Sequence, residues 1–363
     1  MCDLCNIFML LLRAGLWNQI PPIENFPVDE KTWDLIYRMA CIHTVEGVVY
    51  DGLIRLPIDC LPPTALLIKW TARVDFLEKR NKNMNLAIEE LNEFFIANGL
   101  NPFLMKGQGV AACYTTPLHR VCGDIDWYFN HTDFIEANKL IIARGIHVKQ
   151  EAGFSVSYRW KGIEVEHHSR LLDLHNPFLQ DYLKGLQADE LAKSGFICLN
   201  RRNVQLPSPL LMHVLVNVHI LKHMLAFGIG LRQLCDSARV YYAYRNIDEK
   251  HLEEVYRKAG IYSWIQALNG VLITYLGLPT ETLNSLSSTG LITQRMFEDV
   301  LQVGNFGFYI HWNKMENLSQ VKREKAWLQI AKRFKLYAPY ALQEACWFPI
   351  VQLYSHLVKR TAK

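Results

Sequence analysis

The amino-acid sequence predicts an α+β protein in which a mixed unit of strands and helices lies between two helical regions. Apolar residues recur at helical spacing through residues 1–100, whereas short β-like runs fill residues 101–207. Helical spacing returns over residues 208–363, after a proline-rich step. We therefore expect an N-terminal helical region (1–100), a mixed core (101–207) and a C-terminal helical domain (208–363).

The composition is that of a globular protein, because half of the residues are hydrophobic and a fifth are charged. The 39 basic and 35 acidic residues leave a net charge of +4, and no basic tract indicates a nucleic-acid or membrane surface. Any site for a polyanion must therefore be local. Nine scattered cysteines, an odd number, favour a reducing compartment over a disulfide framework, which predicts a cytoplasmic protein.

Three segments invite a wrong interpretation. The N-terminal run MCDLCNIFMLLLRAGLW looks like a secretion signal, but Asp3 stands at its start and Arg13 interrupts it, so an amphipathic helix is expected. Cys2 and Cys5 form a CxxC spacing, yet no second cysteine pair follows at zinc-ribbon distance. The apolar segment 210–234 contains histidines, a lysine and an arginine, which argues against a membrane span.

The hydrophobic pattern also predicts individual elements. A long helix should end at Gly99, before Pro102, and its apolar stripe should comprise Leu67, Trp70, Val74, Leu77, Met84, Ile88, Leu91 and Phe95. The expected strands are Phe103–Met105, Trp127–Phe129, Phe154–Trp160 and Ile163–His167. Other expected helices cover residues 1–17, 31–43, 132–144, 210–225, 231–244, 249–259, 262–275, 293–301 and 322–336.

A glycine turn, Gly107-Gln108-Gly109-Val110-Ala111-Ala112, follows the first strand and fits the GxGxxA form of the dinucleotide-binding fingerprint. In that fold the acid that binds the ribose follows the second strand. Here Asp124 comes before its strand, and residues 115–120 ahead of it cannot form one. A dinucleotide fold is therefore disfavoured, and the absence of GxxxxGK[ST] excludes a P-loop.

Two carboxylates follow the glycine turn. Asp124 and Asp126 stand at i and i+2 on a strand, so their side chains share one face. Carboxylates this close repel each other unless a cation lies between them, and oxygen ligands suit Mg²⁺ or Mn²⁺. The alternative is that the two residues are only a solvated loop and a cap at the start of the strand.

Residues for binding phosphate lie beside these carboxylates. Backbone N–H groups at Gly107 and Gln108, with the N-terminus of the following helix, could hold phosphate oxygens. Lys106 and Arg120 are cations able to neutralise the charge of a transferring phosphate.

A later strand offers a third carboxylate. Alternation places Glu164, Glu166 and His168 on one face of the predicted strand, and such a face is costly to bury for packing alone. One glutamate could complete a metal site or deprotonate an attacking hydroxyl, with Glu166 and Glu164 as competitors. The alternative is a solvent-facing edge strand.

The C-terminal helices contribute two further pairs. His219 and His223 lie one helical turn apart, a spacing that can bind zinc, but the HExxH pattern is missing and core or cleft-lining histidines are the simpler interpretation. Arg232 and Asp236 are also four residues apart. They could form a structural ion pair or line a cleft.

These motifs together resemble the nucleotidyltransferase (DNA polymerase β-like) superfamily, and within it the uncharacterised nucleotidyltransferase family, nucleotidyltransferase family 5. The central motif is Lys-Gly, a helix, an arginine, then Gly-Asp-Ile-Asp and a strand. The segments that carry the resemblance are 11–17, 103–129, 166–171 and 230–236.

The resemblance implies a minimal nucleotidyltransferase domain in which Asp124 and Asp126 bind a catalytic Mg²⁺. It also implies that Gly107 stands at the nucleotide-phosphate turn and that Glu166 is the third acid. The chain departs from the superfamily in having Lys-Gly-Gln in place of Gly-Ser, and a glutamate in place of an aspartate at the third acidic position.

The resulting hypothesis is a Mg²⁺-dependent enzyme that moves a nucleoside monophosphate from an NTP to a small-molecule or protein acceptor. The near-neutral charge weighs against a nucleic-acid acceptor, and no membrane partner is expected. One alternative is a non-catalytic nucleotide-binding protein on the same fold. Another is a metal-dependent phosphohydrolase that uses Glu166, His167, His168 and His175.

Overall fold

The computed structural model describes residues 3–151, 155–283, 290–305 and 326–361. Within them the chain forms a mixed five-stranded sheet, a separate β-hairpin and a large set of helices, which confirms the predicted α+β class. One buried hydrophobic cluster includes residues from all three expected regions. The three-part division itself stays a prediction.

Four helices form the N-terminal region: α1 (Asp3–Trp17), α2 (Glu30–Ile42), α3 (Glu46–Leu53) and α4 (Thr64–Ala97). The 34 residues of α4 extend roughly 50 Å, at about 1.5 Å per residue. Its predicted stripe is buried except at Leu67, which is half-buried, while Leu66 is buried instead. Gly99 follows the helix with a positive φ of 78°, as expected for a C-terminal stop.

Helix α3 was not expected from the sequence. It is only eight residues long and contains two glycines and two valines, which are weak helix formers. A Cβ atom on Gly15 would lie 1.8 Å from the carbonyl oxygen of Val48, and one on Gly52 would lie 2.1 Å from that of Leu11. Close packing against α1 therefore stabilises α3, and only glycine fits at these two crossing points.

The sheet consists of β1 (Phe103–Leu104), β2 (Asp124–Tyr128), β3 (Lys149–Gln150), β4 (Ser155–Trp160) and β5 (Ile163–His168). The short helix α5 (Gln108–Ala111) and the helix α6 (His131–Ala143) lie between its first three strands. The strand order is β1-β2-β5-β4-β3, in which β2 and β5 are parallel and the other neighbours are antiparallel. Of the predicted strand 154–160, residue 154 lies outside the described residues.

Helix α7 (Gln180–Leu191) and a hairpin of β6 (Gly195–Leu199) and β7 (Arg202–Leu206) complete the middle region, and none of the three was predicted from the sequence. Asn200 has a positive φ of 46° in the two-residue turn of the hairpin. Asparagine is favoured at such a position, so the turn carried a readable signal.

The C-terminal helices are α8 (Pro209–Ala226), α9 (Leu231–Ala243), α10 (Glu249–Lys258), α11 (Tyr262–Leu276), α12 (Leu291–Val303), α13 (Ala326–Tyr337) and α14 (Leu342–Thr361). Ser208 caps α8 by accepting a hydrogen bond from the Leu211 N–H group. The helix α8 is long and apolar enough to cross a membrane, but 78% of it is buried within the protein, as in a core helix. Residues 322–325 of the predicted α13 lie outside the described residues.

The N-terminal helix is attached to the C-terminal region through its polar residues. Arg13 Nε donates to the Tyr275 carbonyl at 2.6 Å, and Trp17 Nε1 donates to the Leu276 carbonyl at 2.5 Å. These carbonyls belong to the last turn of α11 and have no partner within the helix. Arg13, which interrupts the apolar run, therefore caps α11. Cys2 of the CxxC spacing lies outside the described residues.

Candidate functional site

A cavity of about 380 Å³ lies where the sheet faces α8 and α9. Most of the residues singled out in the sequence line it: Lys106, Gly107, Arg120, Asp124, Asp126, Glu166, His168, His219, His223, Arg232 and Asp236. A volume of this size suits one small-molecule ligand. Gln108, Gly109 and Glu164 are not part of the lining.

The register of two parallel strands brings the central acidic residues together. Asp126 on β2 pairs with Glu166 on β5, although 40 residues separate them in the sequence. His168 Nε2 lies 2.8 Å from Asp126 Oδ1 and 3.4 Å from Glu166 Oε2. Ligand atoms of these three residues all lie within 4.8 Å of one another. Asp124, the other expected metal ligand, lines the same cavity but is not one of the three.

The protonation of this group follows from its charges. The Asp126 charge and burial raise the pKa of Asp124 to about 6, against the effect of Lys106. Burial opposes ionisation of Asp126 too, but the Lys106 charge and the His168 hydrogen bond hold the pKa of Asp126 below its usual range. Burial would also lower the pKa of His168, yet its bonds to Asp126 and Glu166 raise that pKa to about 9. His168 is therefore a cation at neutral pH.

This arrangement makes stability depend on pH. The raised pKa of His168 adds stability that is complete below its unfolded pKa, about 6.5, and is lost as the pH rises through about 9. Between pH 6.5 and pH 9, the free energy of unfolding should therefore fall by on the order of 2–3 kcal/mol less in His168→Asn than in the wild type. Urea titrations of both proteins at pH 6.5 and pH 9, in metal-free buffer, measure the difference. If the free energy of unfolding changes equally in both proteins between these pH values, the raised pKa assigned to His168 is contradicted.

The donor set fits a divalent metal ion. Carboxylate oxygens suit both Mg²⁺ and Mn²⁺. An imidazole nitrogen suits Mn²⁺ better than Mg²⁺, because Mg²⁺ prefers oxygen ligands. Asp126, Glu166 and a deprotonated His168 could hold the ion. Asp124 lies nearby, since the charge of Asp126 raises the pKa of Asp124. The sequence placed His168 on the strand face of Glu166, as a possible cleft-lining residue or a phosphohydrolase histidine, and the structure places it among the acids.

Lys106 lines the cavity and is largely buried. Its Nζ is 3.6 Å from Asp126 Oδ2 and 3.4 Å from His219 Nδ1. Burial would lower the pKa of Lys106, but the surrounding carboxylates, Asp126 first among them, raise it above its ordinary value. The lysine is therefore charged in a largely enclosed site, as expected for a residue that binds phosphate.

The glycine turn has a more limited role than the sequence suggested. Gly107 has a φ of 56° and a Cβ there would lie 3.3 Å from the Asp124 carbonyl, so glycine suits this cavity-lining position. Gln108 is buried and donates to Asn81 Oδ1 at 3.1 Å, and Gly109 packs against Leu206. Neither contacts the cavity. With four residues, α5 also has a weak dipole for phosphate binding.

Arg120 and Asp236 form a buried bidentate ion pair. Arg120 Nε and Nη2 each donate to an Asp236 carboxylate oxygen at 2.7 Å, and the Tyr114 hydroxyl donates to the same carboxylate at 2.7 Å. Of the two alternatives for Arg232 and Asp236, the geometry favours cleft-lining residues over a helical ion pair, because both line the cavity and Asp236 pairs with Arg120. The charge of Arg120 is neutralised by a protein partner, which weakens the prediction that it neutralises phosphate.

Glu164 is separated from the acidic group. Although it pairs in register with Asp124, its carboxylate lies 3.3 Å from Arg159 Nε on the neighbouring strand and is 43% exposed. Glu166 is instead within reach of both Asp126 and His168. The geometry therefore favours Glu166 over Glu164 as the third carboxylate.

Helix α8 supplies the opposite wall. His219 and His223 are in ring contact at 4.4 Å between centroids, and neither belongs to the acidic group. Burial, with the charges of Lys106 and Lys222, lowers the pKa of both histidines, that of His223 to about 3, so both are neutral at pH 7. They line the cleft, as the simpler interpretation held.

Sequence reasoning missed several cavity residues. Lys222 Nζ lies 2.6 Å from Asp173 Oδ2, and both line the cavity. The spacing of Lys222, three residues after His219 on one helix, could have indicated it. Asp173, in an irregular segment after β5, carried no comparable signal. Arg80, which donates to the Gly123 carbonyl at 3.1 Å, was also missed.

Two histidines proposed for a phosphohydrolase lie elsewhere. His167 is fully buried, contacts Tyr158 and Asn138, and packs against the ring of Phe129. His175 is paired with Glu344 at the start of α14. Neither lines the cavity, so the geometry does not favour that alternative.

Comparison with known proteins identifies the family of this chain. Residues 29–268, about two thirds of the chain, match the sequence profile of an uncharacterised nucleotidyltransferase. The chain belongs to this nucleotidyltransferase family. No curated protein shows significant similarity. A crystal structure of an antigenic nucleotidyltransferase-like protein from Paracoccidioides brasiliensis is 14% identical, with a TM-score of 0.34 over 55% of this chain and 96% of that chain.

Proposed function

We propose that this family member is a Mg²⁺- or Mn²⁺-dependent nucleotidyltransferase that transfers a nucleoside monophosphate from an NTP to an acceptor and releases pyrophosphate. The observation that carries the proposal is the β2–β5 register, which brings Asp126, Glu166 and His168 within 4.8 Å in a cavity also lined by cations. Family membership supports the same reaction class.

The chain's own residues have distinct roles in this reaction. Asp126 and Glu166, with Asp124 and a deprotonated His168 beside them, would hold the metal ion, which would supply Lewis-acid stabilisation of the charge that develops on the α-phosphate. Lys106 neutralises negative charge beside Asp126. Glu166, the more exposed acid of the group, accepts a hydrogen bond from the acceptor hydroxyl and helps to deprotonate it.

The proposed substrates follow from the cavity. Its size accommodates one nucleotide-sized ligand and leaves little further room. The proposed acceptor is therefore a small molecule or a single protein side chain. Neither a nucleic-acid acceptor nor a membrane partner is part of the proposal. The eight cysteines within the described residues are all free, which supports a reducing, cytoplasmic setting.

A labelling experiment tests the reaction. Purified protein is incubated with each α-³²P-labelled NTP, Mg²⁺ or Mn²⁺ and cell extract. We expect a labelled product and equimolar pyrophosphate that both depend on the metal, because the α-phosphate is the group transferred. Asp124→Asn protein serves as the matched control and should form no product.

Calorimetry with NTP and metal separates the alternatives. Tight binding without any labelled product would favour a non-catalytic nucleotide-binding protein. Release of phosphate that is insensitive to Lys106→Met would favour a hydrolase. Absence of NTP binding with either metal would refute the proposed transferase.

A further inference from the structure

The charges around the cavity are almost all paired. Three of its cations each contact a carboxylate: Lys106 with Asp126 at 3.6 Å, Arg120 with Asp236 at 2.7 Å, and Lys222 with Asp173 at 2.6 Å. Arg80 is exposed and donates to the Gly123 carbonyl, and both residues line the cavity. Of the carboxylates that line the cavity, Asp173 and Asp236 are thus paired with cations, and Asp124, Asp126 and Glu166 belong to the proposed metal site.

Arg232 is the exception. It lies at the start of α9 and lines the cavity, yet in the described part of the chain it forms no ion pair. Its Nη1 donates to the Val121 carbonyl at 2.8 Å, which fixes the guanidinium against the segment that leads into Asp124. Its Nε is buried without a hydrogen-bond partner among the described residues.

The backbone N–H groups at the start of α9 are bonded within the protein. The N–H groups of Leu231 and Arg232 lie 3.4 Å from the Nδ1 and carbonyl oxygen of His43 and are directed to them. Binding in this part of the cavity therefore depends on the guanidinium side chain. Among the described residues no carboxylate hydrogen-bonds this half-buried guanidinium, and the charges of Asp124 and Glu46 act on it only at longer range, so a bound anion can pair with it directly.

We propose that Arg232 is an anion-binding residue that holds a phosphate group of the substrate in the cavity. The fork of a guanidinium matches phosphate oxygens, and its hydrogen bond to the Val121 carbonyl fixes it in the cavity against the segment that leads into Asp124. The phosphate identity of the anion rests on the proposed transferase function. It could be the terminal phosphate of the NTP or a phosphate on the acceptor.

Calorimetry with inorganic pyrophosphate in metal-free buffer tests the anion site directly. Relative to wild type, Arg232→Gln should weaken binding at least about tenfold, since a charge-assisted contact is lost. Arg232→Lys should fall between the two, because lysine keeps the charge without the fork. Arg245→Gln, just beyond the C-terminal end of α9, removes the same charge from an exposed site and should bind as wild type does.

Wild-type affinity in the Arg232→Gln protein would overturn the inference, and so would absence of pyrophosphate binding to the wild type or an equal loss in the Arg245→Gln control. Thermal melts of each variant ensure that folded proteins are compared. Titration with an NTP and Mg²⁺ then identifies the source: weaker NTP binding in Arg232→Gln assigns the NTP phosphate, and unchanged NTP binding assigns the acceptor.

The two proposals fail separately. If pyrophosphate binding depends on Arg232 while no labelled product forms with any NTP, the anion site stands and the transferase function does not. If labelled product forms and Arg232→Gln binds pyrophosphate as the wild type does, the transferase function stands and the anion site does not.

Discussion

Replacing either aspartate of the β2 pair with asparagine should reduce nucleotidyl transfer by at least about 10²–10³-fold, yet the two variants should differ in stability with opposite sign. The loss of activity is expected because each substitution removes a negative charge from the proposed metal site. Asp124→Asn should melt at or above the wild-type temperature. Asp126→Asn should melt several degrees lower.

The opposite signs follow from the two pKa shifts. The Asp126 charge and burial raise the pKa of Asp124 to about 6, so the folded protein disfavours its ionised form at neutral pH. The pKa of Asp126 is lowered because Lys106 and His168 outweigh burial. Asparagine at Asp126 gives up charge-assisted hydrogen bonds worth about 1.5–3 kcal/mol.

Thermal melts in metal-free buffer and assays with labelled NTP measure both effects. Glu164→Gln offers a matched control on the same strand as Glu166, because its carboxylate is exposed and paired with Arg159. It should retain activity, whereas Glu166→Gln should not. Full turnover in either aspartate variant, or a higher melting temperature for Asp126→Asn than for wild type, would contradict the assignment of the acidic group.

The second large effect is expected at the buried ion pair. Arg120→Met should lower the free energy of unfolding by about 3–5 kcal/mol, because it leaves the Asp236 carboxylate buried without its cation. Urea denaturation followed by circular dichroism measures the loss. The double variant Arg120→Met, Asp236→Leu should be more stable than Arg120→Met alone, since both charges are then removed. A cost below about 1 kcal/mol for Arg120→Met would mean that water already compensates Asp236.

Elements with a strong local pattern were predictable from the sequence. The stripe of α4 and the alternation in β5 depend on spacing alone, and both are present. Helix α14 was missed because Pro349 breaks the usual helical signal, although the helix continues through it. The strand β3 has two residues, too few for any period to be recognised.

The site was predictable in its residues more than in its contacts. Asp124, Asp126 and Glu166 stand out chemically, and the strand register that unites the last two is compatible with their alternation. The partner of Asp236 was not predictable. Local spacing suggested Arg232, but the observed partner, Arg120, is 116 residues away, and no periodicity carries information about such a contact.

The attachment of α1 to α11 has a consequence for synthesis on the ribosome. Helix α1 can pack against α3 early, because both lie within the first 53 residues. Arg13 and Trp17 must wait for the carbonyls of residues 274–276, which are translated about 260 residues later. At roughly 5–20 residues per second, this delay is about 13–50 s. Helix α1 therefore obtains its native hydrogen bonds to α11 only long after its own residues have been synthesised.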